Sequence, residues 1–215
     1  SDHVMDLYQL YISGWHQGRN TKFKVVGPKG TKLFFQNILK AFNEELEGRI
    51  KWEQRPNIEG LDYEVTEIDE TFEFKNDDLE VKPFEVDHYP VEPAFGYQIK
   101  LSDKGKEKKV VISGDTRKSE NLIKHALNAD VLVHEVFVNL EFDDRRMSEK
   151  TLLNVSDYHT SPKEIGEIAN IAEVKKLILT HFVPPIFDES ELIYKIAESY
   201  KGEIIIGEDL MSIEI

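Results

Sequence analysis

The chain contains no cysteine among its 215 residues. This absence excludes disulfide bonds, thiolate zinc sites and cysteine nucleophiles. A metal ion bound by this chain must therefore take its ligands from histidine, aspartate and glutamate side chains.

Long apolar runs and an excess of positive charge are also missing. No apolar stretch approaches the roughly 20 residues that cross a bilayer, so we expect no integral membrane segment and no membrane partner. The formal net charge is −14 at pH 7. Because nucleic-acid binding depends on phosphate neutralisation by lysine and arginine, this charge disfavours nucleic acid as a partner.

The length and a hydrophobic content of 40% predict one globular domain. Residues 61–101 alternate apolar and polar side chains in several places, which predicts an antiparallel meander. Beyond this segment we predict helices over 2–17, 29–47, 119–128, 161–172 and 189–200, and strands over 23–26, 109–113, 130–134, 176–180, 203–206 and 210–215. This pattern favours a layered α/β architecture, with sheets covered by outer helices.

Four predicted strands end in residues that bind metals or transfer protons: His88, Asp115, the pair His134-Glu135, and His181. Polar groups at the tips of neighbouring buried strands converge on one edge of a sheet. A buried carboxylate such as Asp115 needs a cation or several donors, although it could simply cap the following helix. The sequence therefore indicates a polar site at one sheet edge.

His159 directly precedes a predicted helix start, which is marked by a capping box of Ser161 and Glu164 with Pro162 between them. A helix N-terminus favours an anionic ligand. Glu135 could accept a proton from His159 and fix its tautomer, although a polar loop and a surface glutamate would give the same sequence. The isolated His16 and His125 lack this context, and we expect both to be surface or structural residues.

The chain resembles the metallo-β-lactamase-fold hydrolases, and in particular their ribonuclease Z and arylsulfatase-like branch. Residues 1–3 look like the end of the family's His-x-His-x-Asp-His motif, and residues 87–97 look like its third-motif histidine and Gly-Tyr pair. The later matches follow in the order that the family uses, and they are residues 113–116, 134–135, 159–161 and 180–181. Each piece is weak alone, whereas the shared order over the whole chain is specific.

The resemblance implies an αβ/βα four-layer sandwich that forms a single domain over residues 1–215. The first two histidines of the motif and the opening strands would precede Ser1, so we expect an N-terminally incomplete fold with one complete metal site and one damaged site. We therefore expect the parent protein to be an enzyme, and the activity of the 215-residue chain stays open.

The resemblance also implies a site for two metal ions. Asp2, His3 and His181 would hold one ion, Asp115 would bridge, and His88 would serve the other ion. Nitrogen and oxygen ligands fit zinc (Zn²⁺), with manganese and iron as alternatives.

The implied reaction is hydrolysis of a phosphate, sulfate or related ester of a small molecule by a metal-activated hydroxide. The catalytic residues would be Asp2, Glu135 and His159, with His159 donating a hydrogen bond or proton. The first alternative is tRNA 3′ processing, which is disfavoured because about ten residues separate Ile99 from Val110, where bacterial members carry a long tRNA-binding arm. The second is a non-catalytic metal-binding scaffold, against which the Glu135 and His159 pair argues.

Substrate recognition would fall to loops 139–158 and 183–190. Side chains that could contact an anionic ester, or form only a charged surface loop, are Phe142, Arg145, Arg146 and Met147. The resemblance allows a homodimer. We expect a cytoplasmic location, although a chain that begins within a motif shows no natural N-terminus to inspect for a signal peptide.

Overall fold

The computed structural model describes residues 3–103, 105–138 and 148–215. The chain divides into two compact units, Ser1–Asp69 and Glu70–Ile215. The expectation of a single domain over the whole chain stays a prediction. Among the described residues, no helix combines the length and the apolar character that a membrane span requires.

An aromatic core organises the first unit. Its elements are α1 (Asp6–His16), β1 (Phe23–Pro28), α2 (Thr31–Ala41), α3 (Asn43–Glu53), a 3-10 turn (Ile58–Leu61) and β2 (Tyr63–Ile68). Tyr11, Trp15 and Phe35 are buried, and the Tyr11 and Phe35 rings meet edge to face with centroids 5.4 Å apart. Such pairs add about 1 kcal/mol beyond the area that they bury. The core therefore joins α1 to α2.

Three expectations for the first unit are wrong. The helix predicted over 29–47 is two helices, because the backbone leaves helical geometry at Phe42 (φ −108°, ψ 7°), whose ring stacks on Tyr8. The second of these helices, α3, extends to Glu53, past the predicted helix end at residue 47. Residues 63–68 pair with β1 in parallel and do not belong to an antiparallel meander.

A mixed sheet forms the frame of the second unit. Its strands are β3 (Phe74–Lys75), β4 (Leu79–Val86), β5 (Ala94–Asp103), β6 (Lys106–Ile112), β7 (Val131–Phe137), β8 (Lys176–Val183) and β9 (Glu203–Ile206), and its helices are α4 (Glu120–Ala126), α5 (Glu149–Ser156), α6 (Pro162–Ile171) and α7 (Glu189–Ala197). The strands lie in sequence order in one seven-stranded sheet. Neighbours from β3 to β6 are antiparallel, and neighbours from β6 to β9 are parallel.

Helices α4, α6 and α7 pack on the sheet through one buried apolar cluster. Its members include Leu122 from α4, Ile165 and Ile168 from α6, Ile196 from α7, and Leu132, Leu177 and Leu179 from the strands. Burying a side chain of this size contributes about 1.5–3 kcal/mol. The parallel strands β6, β7 and β8 run in one direction, so the residues that follow them share one edge of the sheet.

Two expectations for the second unit also fail. Residues 210–215 form no strand, because the amide of Met211 donates to the carbonyl of Glu208 and turns the chain after β9 (3.2 Å). Helix α5 occupies part of the segment predicted as a loop over 139–158. The predicted strands before α4, α6 and α7 are confirmed, and β7 and β8 each end three residues later than expected.

Candidate metal centre

His88 lies just beyond the end of β4 and is buried. Its Nδ1 is 2.9 Å from the carbonyl oxygen of Tyr158. Because a carbonyl oxygen only accepts hydrogen bonds, this contact assigns the ring proton to Nδ1 and leaves the Nε2 lone pair as a ligand. The Nε2 atom lies 3.9 Å from Oδ2 of Asp115.

Asp115 follows β6 through a turn that only glycine fits. Gly114 has φ +62°, and a Cβ atom there would lie 2.4 Å from the carbonyl oxygen of Phe95. The turn carries the Asp115 carboxylate to His181, whose Nε2 lies 3.5 Å from the same Oδ2 that faces His88. Two imidazole nitrogens therefore approach one carboxylate oxygen. Asp115 does not cap the following helix, because Ser119 does.

His181 is the extra residue of a β-bulge in β8. Thr180 pairs with Glu135 and Phe182 pairs with Val136, so the register of β7 passes over His181. Its backbone adopts φ +46°, in the left-handed region. Bulges re-aim a side chain, and here the bulge places the ring at the sheet edge beside Asp115.

Glu135 and His159 form a buried pair beside these residues. Their exposed fractions are 1% and 7%, which shows that the surface alternative for Glu135 is wrong. Oε1 of Glu135 accepts from the amides of Thr160 (2.9 Å) and Thr116 (3.4 Å). Oε2 lies 3.3 Å from Nδ1 of His159. One carboxylate therefore holds two loops and faces the imidazole.

The donor set fits a divalent metal ion. In the described part of the chain, Glu135 Oε2 and His159 Nδ1 are buried without a well-aligned hydrogen bond. Donor atoms of Glu135, His159 and His181 lie within 4.8 Å of one another. Burying imidazoles and carboxylates this close together costs free energy of folding unless they share a cation or a proton. Imidazole and carboxylate ligands suit Zn²⁺, Mn²⁺ and Fe²⁺.

Most of the site residues expected in the second unit come together. His88, Asp115, Glu135, His159 and His181 all lie at the same sheet edge. Asp2 is outside the described residues, as are Phe142, Arg145, Arg146 and Met147. His3 belongs to the first unit, and its role as a ligand stays a prediction. His125 is structural as expected, because its ring stacks on Phe84 with centroids 4.3 Å apart.

Sequence reasoning missed three residues that support the site. Thr116 donates from its amide to Glu135, and the Thr160 hydroxyl donates to the carbonyl of Thr116 (2.6 Å). Arg117 contacts the segments on either side of His88 and before His159. The only signal for them was their position next to Asp115 and His159, because their hydrogen bonds join segments far apart in sequence.

Comparison with known proteins agrees with this geometry. The family model described as "Beta-lactamase superfamily domain" matches residues 1–182. The ribonuclease Z of Mycobacterium sp. (strain KMS) is 30% identical over 220 residues, which cover 100% of this chain and 74% of that protein. The putative ribonuclease Z of Mycobacterium tuberculosis (strain CDC 1551 / Oshkosh) is 30% identical over 227 residues and 95% of its length.

Solved structures show the same fold. The metallo-β-lactamase fold protein YhfI from Bacillus subtilis superposes with a TM-score of 0.65 at 20% identity, over 96% of this chain and 71% of that chain. The short form of human tRNase Z superposes with a TM-score of 0.56 at 21% identity, over 91% and 69%.

The chain belongs to the β-lactamase superfamily and has the α/β metallo-β-lactamase fold, with a mixed sheet. It is a hydrolase of that superfamily, whose members are typically metal-dependent. Within the superfamily, its resemblance to ribonuclease Z is confirmed by the curated relatives.

Proposed function

We propose that this chain hydrolyses a phosphate, sulfate or related ester of a small molecule with the help of bound Zn²⁺. The observation that carries the proposal is the approach of His88 and His181 to one oxygen of Asp115, beside the buried pair of Glu135 and His159. His88, Asp115 and His181 would hold metal, together with Asp2 and His3. A bound divalent cation supplies Lewis acidity, which lowers the pKa of water and offsets negative charge on the attacked centre.

The pair Glu135 and His159 would handle the proton. Glu135 would orient the His159 ring, because its Oε2 faces Nδ1 at 3.3 Å, and Nε2 on the opposite side of the ring would then donate to the leaving group. The carboxylate also stabilises the positive charge of the imidazolium form. Because both residues are buried, the field of the carboxylate acts in a low dielectric, where it is stronger than in water.

The test compares hydrolysis of a chromogenic phosphodiester by the metal-depleted chain, with and without added Zn²⁺. Asp115→Asn should lower the zinc-dependent rate by at least about 100-fold, because the negative charge of the carboxylate between His88 and His181 is lost. Glu167→Gln is the matched control, since this carboxylate pairs with Lys118 away from the site. Zinc-dependent turnover that survives in Asp115→Asn would refute the site assignment.

A second candidate function is tRNA 3′ processing. It is favoured by curated relatives named ribonuclease Z, which are 30% identical across the whole chain. The charge of −14 and the tight β5–β6 hairpin, in which Asp103 pairs with Lys106, favour a small substrate instead. Cleavage of precursor tRNA at its 3′ end with a higher kcat/KM than any small ester would reverse this order.

The alternative of a non-catalytic metal-binding scaffold is tested with the same purified protein. Elemental analysis of the purified chain should give bound metal, and the phosphodiester assay should give turnover. Metal binding with no hydrolysis of any ester or RNA would favour the scaffold.

A further inference from the structure

Arg117, two residues after Asp115, contacts two separate segments at once. Its Nη1 lies 3.2 Å from Oδ1 of Asp87, and its Nη2 donates to the carbonyl of Tyr89 (3.3 Å). On the other side, Nε donates to the carbonyl of Asp157 (2.9 Å), and Nη2 lies 3.3 Å from Oδ2 of Asp157. The Arg117 amide also donates to the carbonyl of Asp87 (2.9 Å).

These two segments carry two of the site histidines. Asp87 and Tyr89 flank His88 in the chain, and Asp157 lies two residues before His159. The segments also touch directly, because the carbonyl of Tyr158 accepts from Nδ1 of His88. Arg117 therefore lies at the junction of the loops that set where His88 and His159 point.

The energetics of these contacts favour a geometric role. The Arg117, Asp87 and Asp157 side chains are 30%, 52% and 81% exposed. Ion pairs with this exposure contribute little to folding. The planar guanidinium, with its five donors, nevertheless fixes several acceptors in one arrangement, which the ammonium group of lysine cannot do.

We propose that Arg117 is a positioning residue that holds the His88 loop and the His159 loop in fixed places relative to Asp115. It acts through backbone carbonyls and two carboxylates. This inference rests on the proposed hydrolase function for its catalytic consequence, whereas its structural part can be measured without any substrate.

The structural test is hydrogen exchange of the full chain, with and without bound Zn²⁺, in Arg117→Gln and in Lys118→Gln. Lys118 is the adjacent cation of similar exposure, and it pairs only with Glu167 among the contacts above. Arg117→Gln should raise amide exchange about tenfold at Tyr89, Val91 and His159, and should leave β7 and β8 within about twofold. Lys118→Gln should change none of them.

Two results of this experiment would overturn the positioning role. Unchanged exchange at Tyr89, Val91 and His159 would show that Arg117 does not hold these loops. A uniform rise that includes β7 and β8 would show a general loss of stability instead. Either result leaves the hydrolase proposal standing, since no turnover is measured.

The catalytic test separates kcat from KM for the chromogenic phosphodiester. Arg117→Gln and Arg117→Lys should each lower kcat by about 10–100-fold and leave KM within about threefold, as outer groups that orient ligands do. Added guanidinium ion should restore part of the rate to a third variant, Arg117→Ala, and none to Asp115→Asn. An Arg117→Lys variant with full kcat would contradict the need for a planar guanidinium group at this position.

Discussion

His181 combines a metal-ligating side chain with an unusual backbone. Residues other than glycine with φ near +46° are uncommon, and sparsely populated conformations of this kind cost about 1–3 kcal/mol. The surrounding parallel strands hold the bulge in place, since the residues on both sides of His181 pair with β7. The site thus keeps a strained residue where its ring meets Asp115.

Substitutions at His181 should separate this strain from the ligand role. Asparagine tolerates the left-handed region. The free energy of unfolding of metal-free His181→Asn should therefore stay within about 1 kcal/mol of that of the unsubstituted chain. The β-branched His181→Val should lose about 1–3 kcal/mol more than His181→Asn. Urea unfolding measures both, and equal stability of the two variants would contradict the strain. Both should lose zinc-dependent hydrolysis.

His134 gives the fold a dependence on pH. The side chain is fully buried, and burial lowers the pKa of its imidazole below the ordinary value of about 6.5. The unfolded chain therefore binds a proton near pH 6 that the folded chain does not. The stability that depends on neutral His134 is complete above pH 6.5 and is lost as the pH falls below it.

Removing the titrating group should flatten this dependence. Between pH 7.5 and 5.5 the metal-free unsubstituted chain should lose more of its free energy of unfolding than His134→Gln does. Urea unfolding at each pH provides the comparison. Parallel pH profiles for the two chains would show that His134 does not titrate in this window.

At the scale of residues, the sequence predicted the candidate site residues but not the residues that position them. His88, Asp115, Glu135 and His181 follow apolar runs, so a local pattern identified them. The hydrogen bonds of Arg117 join residues 28 to 40 positions apart, and a local pattern holds no record of them.

Among the structural elements, the turn after β6 determines where the Asp115 carboxylate lies. Gly114→Ala should be severely destabilising, by about 3 kcal/mol or more, because φ is +62° and the new Cβ would overlap the carbonyl oxygen of Phe95. Gly105→Ala is the matched control: φ is +80°, but the added Cβ meets open space, so only about 1 kcal/mol should be lost. Thermal unfolding compares them, and equal losses would remove the steric argument.

The elements also show where the sequence signal ends. Period-two alternation predicted strands within residues 61–101, but it cannot tell a parallel partner from an antiparallel one, because pairing is set by distant residues. Helix periodicity likewise predicted one continuous helix across Phe42, where tertiary packing on Tyr8 breaks the helix. The capping box before α6 was predicted fully, because all of its contacts are local.

For the whole molecule, metal binding should raise resistance to unfolding. A ligand that binds only the folded chain stabilises it by about 2.7 kcal/mol at 100 times its Kd. Added Zn²⁺ should therefore raise the unfolding midpoint of the parent and of Glu167→Gln, and it should raise that of Asp115→Asn much less. Scanning calorimetry at several zinc concentrations measures this, and an equal rise in all three chains would place the zinc elsewhere.

The whole fold was more predictable than any single boundary, because it depends on the order of many weak signals rather than on one. The alternation of strands and helices after Lys109 indicated a layered α/β fold, and the ordered motifs carried the resemblance to the superfamily that the comparisons show. The division into units at Asp69 and Glu70 had no such signal, since no linker composition marks it.

The two carboxylate oxygens of Glu135 face different groups, so replacing one oxygen by an NH₂ group changes the hydrogen bonding of His159. In Glu135→Gln, the amides of Thr116 and Thr160 demand an acceptor, so the carbonyl oxygen of the new side chain must face them. Its NH₂ group then points at Nδ1 of His159, which would have to accept from it. Nδ1 then carries no proton, the ring proton lies on Nε2 alone, and no carboxylate faces the ring. A nearly isosteric change would thereby hold His159 in one neutral tautomer.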